Sequence, residues 1–420
     1  MQRLASNESA QWPRFALDQG RLDISSRSRT SRLPWRGQFS PEFIEYVIDE
    51  ICPNADVIYD PFCGSGTVLF EALQRSKSGF GAEVNPAAWH LAALSSFADL
   101  GPVDQAKIVS EIRRYATAAS SGGMLFEQEV PAILDGLSDD ASHPFLRLAL
   151  AAVVLVGMGN GTRLDSAAVA RGSFAVLSVL AEIAEAPGRA GCLLADARHT
   201  LLPSRSVDAV ITSPPYINVF NYHQNYRPAA ELLGWQPLQA AASEIGANRK
   251  HRQNRFLTVT QYVLDMAECL AETARVMKAG SPLTIVLGRT SNVLGASFKN
   301  GEIIASVIDC LGAFGALQKA ERSFTNRFGE RIYEDIIIAQ RGLEEPNLST
   351  DRLRQIGVHA LMNAREMVPE KNRAVLHEAI DKAMTVQSSP LLTISVPAPF
   401  KENPNGKSEK NGSHSHRRTR

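Results

Sequence analysis

Short apolar runs alternate along this chain with longer stretches of helical period. Each short run stops on an acid, a hydroxyl or a glycine. Val57-Ile58-Tyr59 ends at Asp60, Gly79 to Ala82 ends at Glu83, Cys192 to Ala195 ends at Asp196, and Val207 to Ile211 ends at Thr212-Ser213. Between and after them, VLFEALQRS, TQYVLDMAECLAETARVMKAG and IIASVIDCLGAF repeat apolar positions at three and four residues. Runs of four or five apolar residues suit strands buried on both faces, and the helical stretches suit the crossovers joining them. The alternation predicts an α/β chain with a doubly wound, mostly parallel sheet. Leu283 to Leu287 extends the sheet, and Leu317 to Arg322 with Asp335 to Gln340 are read as its last two strands.

The alternation is interrupted once. Residues 101–190 are rich in Ala and Leu, and LALAAVVLV reads as a buried core helix. With seven Lys/Arg against ten Asp/Glu, this insert is a poor phosphate-binding face on average. The reading divides the chain into a flexible polar arm (1–35), a core (36–100 with 191–342), the helical insert (101–190), a C-terminal helical segment (343–390) and a disordered tail (391–420). Ser40-Pro41 before FIEYVIDEI is a helix start, with proline at the first helical position. Formal net charge is zero, so any signal for a polyanion must be local. Two such runs occur: Arg27, Arg29 and Arg32 in the arm, and Arg249, Lys250, Arg252 and Arg255 against the single acid Glu244. Five scattered cysteines without a CxxC, and no His cluster at ligand spacing, give neither a disulfide framework nor a metal site. No signal core or uninterrupted apolar run of membrane length is found, and a cytoplasmic protein is expected.

Candidate chemistry gathers where the predicted strands end. Asp60-Pro61-Phe62-Cys63-Gly64-Ser65-Gly66-Thr67 lies between a strand and a helix, where Gly64 and Gly66 let the backbone approach a ligand and offer N–H groups at a helix start. Glu83 follows Asp60 by 23 residues, the spacing at which an acid meets ribose hydroxyls in nucleoside-binding α/β folds. Ser213-Pro214-Pro215-Tyr216 leaves the sheet in a stiff extended turn, because each proline fixes its own φ and neither can donate to a ladder. Alone, that tetrapeptide is a proline turn closing a strand. Beside a ligand loop it offers a hydroxyl, two directed carbonyls and an aromatic face to a planar ring bearing an amino group.

These motifs resemble those of S-adenosylmethionine-dependent DNA amino-methyltransferases, the N4-cytosine/N6-adenine family. DPFCGSGT is similar to that family's cofactor loop, SPPY to its catalytic tetrapeptide, and GQFSPEF to the upstream segment that closes over the cofactor's methionine part. RVMKAGSPLTIVLG resembles the helix–strand that follows the catalytic motif, and the resemblance covers about 36–100 and 191–342. It implies a Rossmann-like class I methyltransferase fold with a seven-stranded sheet, and S-adenosyl-L-methionine as cofactor. It implies cofactor contacts from Phe39, Ser40, Asp60, Pro61, Phe62, Gly64, Gly66 and Thr67, with Glu83 on the ribose and Asp196 on the adenine amine.

In that family the Ser213 side chain and the Pro214 carbonyl would accept the amino hydrogens, with Pro215 stiffening the turn and Tyr216 stacking on a base flipped out of double-stranded DNA. Ser at the first catalytic position favours cytosine N4, with adenine N6 as the alternative. Tyr222, Arg227, Arg249, Lys250, Arg252 and Arg255 are the expected nucleic-acid contacts. Methylation at cytosine carbon 5 needs a nucleophilic cysteine, typically after proline, and Cys52 precedes Pro53. The other readings are a tRNA or rRNA methyltransferase, a protein-glutamine methyltransferase (which would carry Asn in place of Ser213) and a non-catalytic binding subunit. Restriction-modification, with a cognate endonuclease as partner, is the expected setting.

Overall fold

The computed structural model describes residues 15–24, 33–120, 133, 137, 143–218, 221–247, 251–326 and 329–401. Seven strands form one sheet in the order β3 (Ala190–Leu194), β2 (Ser78–Glu83), β1 (Val57–Asp60), β4 (Ala209–Thr212), β5 (Pro282–Gly288), β9 (Arg331–Arg341) and β8 (Phe314–Thr325). The first five are parallel, and β9 runs antiparallel to both neighbours. The expected doubly wound sheet is therefore present. Its order reverses between β1 and β4, and a doubly wound sheet opens its crevice beyond the carboxyl ends of strands at that point.

Strand β4 is buried throughout, as a central parallel strand should be. The one polar residue in the run that feeds it, Asp208, sits at the opposite edge of the sheet. It accepts the Val57 N–H at 2.9 Å and pairs with Lys278 at 2.5 Å. Helices Leu257–Val276 and Asn300–Leu311 cover one face, and Pro41–Glu50 and Thr67–Gln74 the other. Strands β6 (Thr290–Val293) and β7 (Ala296–Lys299) form a separate hairpin at the end of β5 that the hydropathy pattern did not separate from loop. Alternation over four residues per strand is too short a signal for that purpose.

The insert is helical, as expected, with Pro102–Ser120, Pro144–Met158 and Ser166–Ile183. It is not a detached unit. Ile108, Ile112, Leu150 and Val176 share one core with Phe70, Leu73 and Leu91 of the sheet-covering helices. Helix Ser166–Ile183 is long and apolar enough to cross a membrane by length and composition, yet Val169, Val176, Leu180 and Ile183 are buried within this core.

Two boundaries move. The polar arm expected over 1–35 includes an ordered stretch along β8, where Phe15 N–H donates to Gln318, Leu22 is fully buried and Ile24 bridges Phe324. The basic residues Arg27, Arg29 and Arg32 lie outside the described residues. Residues 391–401, expected to belong to a disordered tail, instead pack against the core through Ile394, Val396 and Phe400, and 402–420 lie outside the described residues. Alternate apolar positions in LLTISVPAPF make that packing possible, and it was obscured by the neighbouring prolines.

Candidate functional site

At the switch point, Asp60 ends β1 and Thr212 ends β4. The Thr212 hydroxyl donates to Asp60 Oδ1 at 2.6 Å, and the Phe62 N–H donates to the same oxygen at 3.0 Å. One buried carboxylate thus ties the cofactor-type loop to the strand that delivers the catalytic tetrapeptide. The loop then turns into helix Thr67–Gln74 through Gly66, at φ 89°. A side chain there would be strained and would press on Ala92, so glycine is required. From β2, Glu83 reaches back over the loop. Its Oε2 accepts the Gly64 N–H at 2.9 Å and its Oε1 the Asn85 N–H at 2.8 Å.

Asp60, Phe62, Gly64, Glu83 and Asn85 line a cleft of about 930 Å³, part of it open to solvent. Its walls include Phe39, Asp60, Pro61, Phe62, Gly64, Thr67, Glu83, Asp196, Ser213 and Pro215, which lie on elements as far apart in sequence as 39 and 215. Burial raises the carboxyls of Asp60 and Glu83 to about 7, against the hydrogen bonds that favour their charged forms. Ser40 is buried at the start of helix Pro41–Glu50, beside the cleft and without lining it. Gly66 shapes the loop without lining the cleft.

The upstream segment folds over this cleft because the aromatic loop after Tyr216 holds it. Trp35 stacks on Tyr226 at 6.0 Å, the Tyr226 hydroxyl donates to the Pro34 carbonyl at 2.5 Å, and Ser65 donates to Gln38 at 3.0 Å. Asn85 Nδ2 donates to the Tyr222 carbonyl at 3.0 Å. Tyr222 lines the cleft itself, and burial moves its hydroxyl up to about 12.

Of the tetrapeptide, Ser213 and Pro215 face the cleft and Pro214 is buried. Tyr216 turns the other way. Its ring lies on Gly288 at the end of β5, where a Cβ would come within 2.8 Å of the ring, and its hydroxyl is 3.5 Å from Glu334. Burial and that carboxylate push the phenol well above its ordinary value.

Two site features were missed in the sequence. Thr212 read only as a strand end. Glu244 read as the lone acid of a basic run, yet it is buried, lines the cleft and holds His223 through the His223 N–H at 2.6 Å and Nδ1 at 2.8 Å. Two residues on, Gly246 at φ 68° packs against the Tyr216 carbonyl. Ser243 to Ile245 is therefore part of the cleft wall, and Gly246 seats that wall on the tetrapeptide. No spacing rule joins His223 to Glu244 in advance.

The expected nucleic-acid contacts scatter. Tyr222 belongs to the cleft, Arg227 pairs with Glu231 at 2.7 Å, Arg255 donates to Asn218 Oδ1, and Arg252 is exposed. Arg249 and Lys250 lie outside the described residues. Among the described residues no group of three or more His, Cys, Asp or Glu could hold a metal ion.

Residues 12–93 match the DNA methylase family of N6 and N4 methyltransferases. Over 67 residues the chain is 31% identical to Type II methyltransferase M.MjaII of Methanocaldococcus jannaschii, covering 15% of this chain and 13% of that protein. Over 71 residues it is 35% identical to Type II methyltransferase M.MvaI of Kocuria varians, covering 17% and 14%. The matched stretch thus spans about an eighth to a seventh of those relatives. Among solved structures, the rRNA methyltransferase aviRa of Streptomyces viridochromogenes is 13% identical at a TM-score of 0.32, covering 81% of this chain and 96% of that one. A SAM-dependent methyltransferase of Methanosarcina mazei is 14% identical at 0.31, covering 69% and 93%. The strand order, with its one antiparallel strand, is the Rossmann-like class I arrangement. Through residues 12–93, the resemblance to DNA amino-methyltransferases is borne out.

Proposed function

We propose that this protein is a DNA methyltransferase that uses S-adenosyl-L-methionine to methylate the exocyclic amine of a flipped base, with cytosine N4 as acceptor. The observation that carries this reading is the Asp60–Thr212 hydrogen bond at the switch point, which fixes a cofactor-type loop against the strand ending in Ser213. The cleft suits the cofactor. Its lining carries four acids and one arginine, Arg36; Asp196 is answered by Arg198 and Glu244 holds His223, which leaves Asp60 and Glu83 to meet a ligand bearing a sulfonium and an ammonium group. When bound, the cofactor supplies an activated methyl group.

The chain does the rest by positioning. An amino nitrogen conjugated to the base ring is a weak nucleophile, because its lone pair is delocalised. Ser213 Oγ and the Pro214 carbonyl accept its two hydrogens and draw the nitrogen toward tetrahedral geometry. Glu83 holds the ribose hydroxyls while its bond to Gly64 keeps the loop closed. Tyr216, braced on Gly288, offers its face to the extruded base. Orientation of this kind lowers a barrier by about 7–11 kcal/mol in the most favourable cases.

The acceptor base, the DNA substrate and a role beside a cognate endonuclease belong to this proposal. Ser213 supports cytosine, and the names of the two Type II relatives support restriction-modification. Five free cysteines suit the cytoplasm. Nucleoside mass spectrometry of DNA and RNA from cells expressing the chain tests the acceptor base and the substrate. N4-methylcytosine is expected. N6-methyladenine alone overturns the base assignment, and methylated RNA beside unmodified DNA overturns the substrate.

A further inference from the structure

The carboxylate of Asp196 is full. Its Oδ1 accepts the Arg198 backbone N–H at 3.1 Å and Arg198 Nε at 2.9 Å; its Oδ2 accepts Arg198 Nη2 at 2.7 Å and the Leu392 N–H at 3.0 Å. An ionised carboxylate has about four acceptor positions, and all four are used. Three of the donors come from Arg198, which is itself fixed by the C-terminal segment through the Ser389 carbonyl at 2.6 Å and the Pro390 carbonyl at 2.8 Å. Asp265 completes the cluster by accepting both Arg198 Nη1 and the Ser389 N–H.

The same segment is pinned at its far end. Ser395 N–H donates to Gln239 at 2.9 Å, and Phe400 stacks on Trp235 at 5.7 Å and meets His90 edge-on at 4.5 Å. Chain from 387 to 400 thus runs from helix Leu257–Val276, where Gln261 donates to the Gln387 carbonyl, to the His90–Trp235 cluster, and it bonds a cleft-lining residue through Leu392 to Asp196.

We propose that residues 387–400 form a strap that holds the Asp196-Ala197 turn in place at the adenine end of the cleft, and that Asp196 is a positioning residue whose carboxylate engages Arg198 and Leu392, not the adenine amino group. The proposal rests on the reading that the cleft takes S-adenosylmethionine, and it departs from the role that family resemblance gave Asp196. Because the turn is held as a unit, loosening the strap displaces the cleft wall for any purine.

The test uses the full chain and two ligands titrated calorimetrically: S-adenosylhomocysteine and its analogue carrying a 6-oxo group in place of the 6-amino group. Leu392→Pro removes the strap's N–H donor to Asp196, and Phe400→Ala loosens the far end, leaving 389–392 intact. Each variant should weaken the two ligands equally, by about tenfold for Leu392→Pro, which loses one hydrogen bond to a charged group, and by less for Phe400→Ala. Phe400→Tyr should restore wild-type affinity. If the loss is confined to the amino-bearing ligand, Asp196 receives the amino group and the proposal falls. Unchanged affinity for both ligands in a folded Phe400→Ala protein overturns the strap's role. A wild-type chain that binds neither ligand overturns the cofactor reading, and the strap proposal with it.

Discussion

The two sides of the tetrapeptide are built differently. On the cofactor side the acids around the loop have partners inside the fold: Asp60 with Thr212 and Phe62, Glu83 with Gly64 and Asn85, Glu244 with His223. On the far side, Tyr216 touches Gly288 and lies at the limit of a hydrogen bond to Glu334; of the basic residues expected to meet nucleic acid, Arg227 and Arg255 serve other side chains and Arg252 is exposed. A small ligand of fixed shape can be met by a preorganised cleft. A duplex that must be bent open is met by groups still free to change partners, and phosphate contacts need only charge and reach.

The sharpest way to break that comparison is to separate chemistry from binding. Ser213→Ala should lower turnover about 10²–10³-fold, the usual cost of removing one preorganised hydrogen-bonding group from a reacting centre, with cofactor affinity unchanged. Single-turnover methylation beside calorimetry reads both. Glu83→Ala should do the reverse, weakening cofactor binding about 10- to 100-fold, since it removes a charged acceptor and also frees the Gly64 N–H. Turnover at saturating cofactor should be kept. If both variants change both quantities alike, the two sides act as one unit.

This division also explains what could be read from the chain. Asp60, Glu83 and Asp196 each stand at or just past the end of an apolar run, so periodicity alone brought them to one edge of a sheet. Thr212 and Glu244 were invisible for a different reason. Their roles depend on contacts across 152 and 21 residues, which no local period encodes. In the basic run 249–255, charge in the sequence does not say which charges face solvent, and Arg252 is exposed. Arg255 is half-buried against Asn218.

Protonation offers a gentler probe of the cleft. Asp60 and Glu83 are raised to about 7 by burial, so the folded protein keeps two protons that the unfolded chain releases near pH 4. Stability contributed by these groups is therefore lost as pH rises from about 4 to about 7. His90, lowered to about 3 by burial, opposes this with one group against two, because the unfolded chain takes up its proton as pH falls below about 6.5. A cationic ligand favours the ionised acids. Cofactor affinity should rise by up to about tenfold between pH 6 and pH 8, and the cofactor-induced rise in Tm should be larger at pH 8. Affinity that falls over this range would show that the acids bind ligand in their protonated forms.

The smallest effect expected is on the opposite side. Arg252 is exposed, whereas the Arg227 guanidinium is paired with Glu231. If Arg252 meets a phosphate, Arg252→Ala should weaken duplex binding only a few-fold at physiological salt. It should also reduce the slope of log affinity against log salt by about 0.9, one counterion's worth. Arg227→Ala should leave that slope unchanged, because its charge is already answered within the fold. Equal slopes for both variants would mean that the pairing seen at Arg227 is given up on DNA. The far side would then be organised no less fully than the cleft, by contacts that form only with substrate.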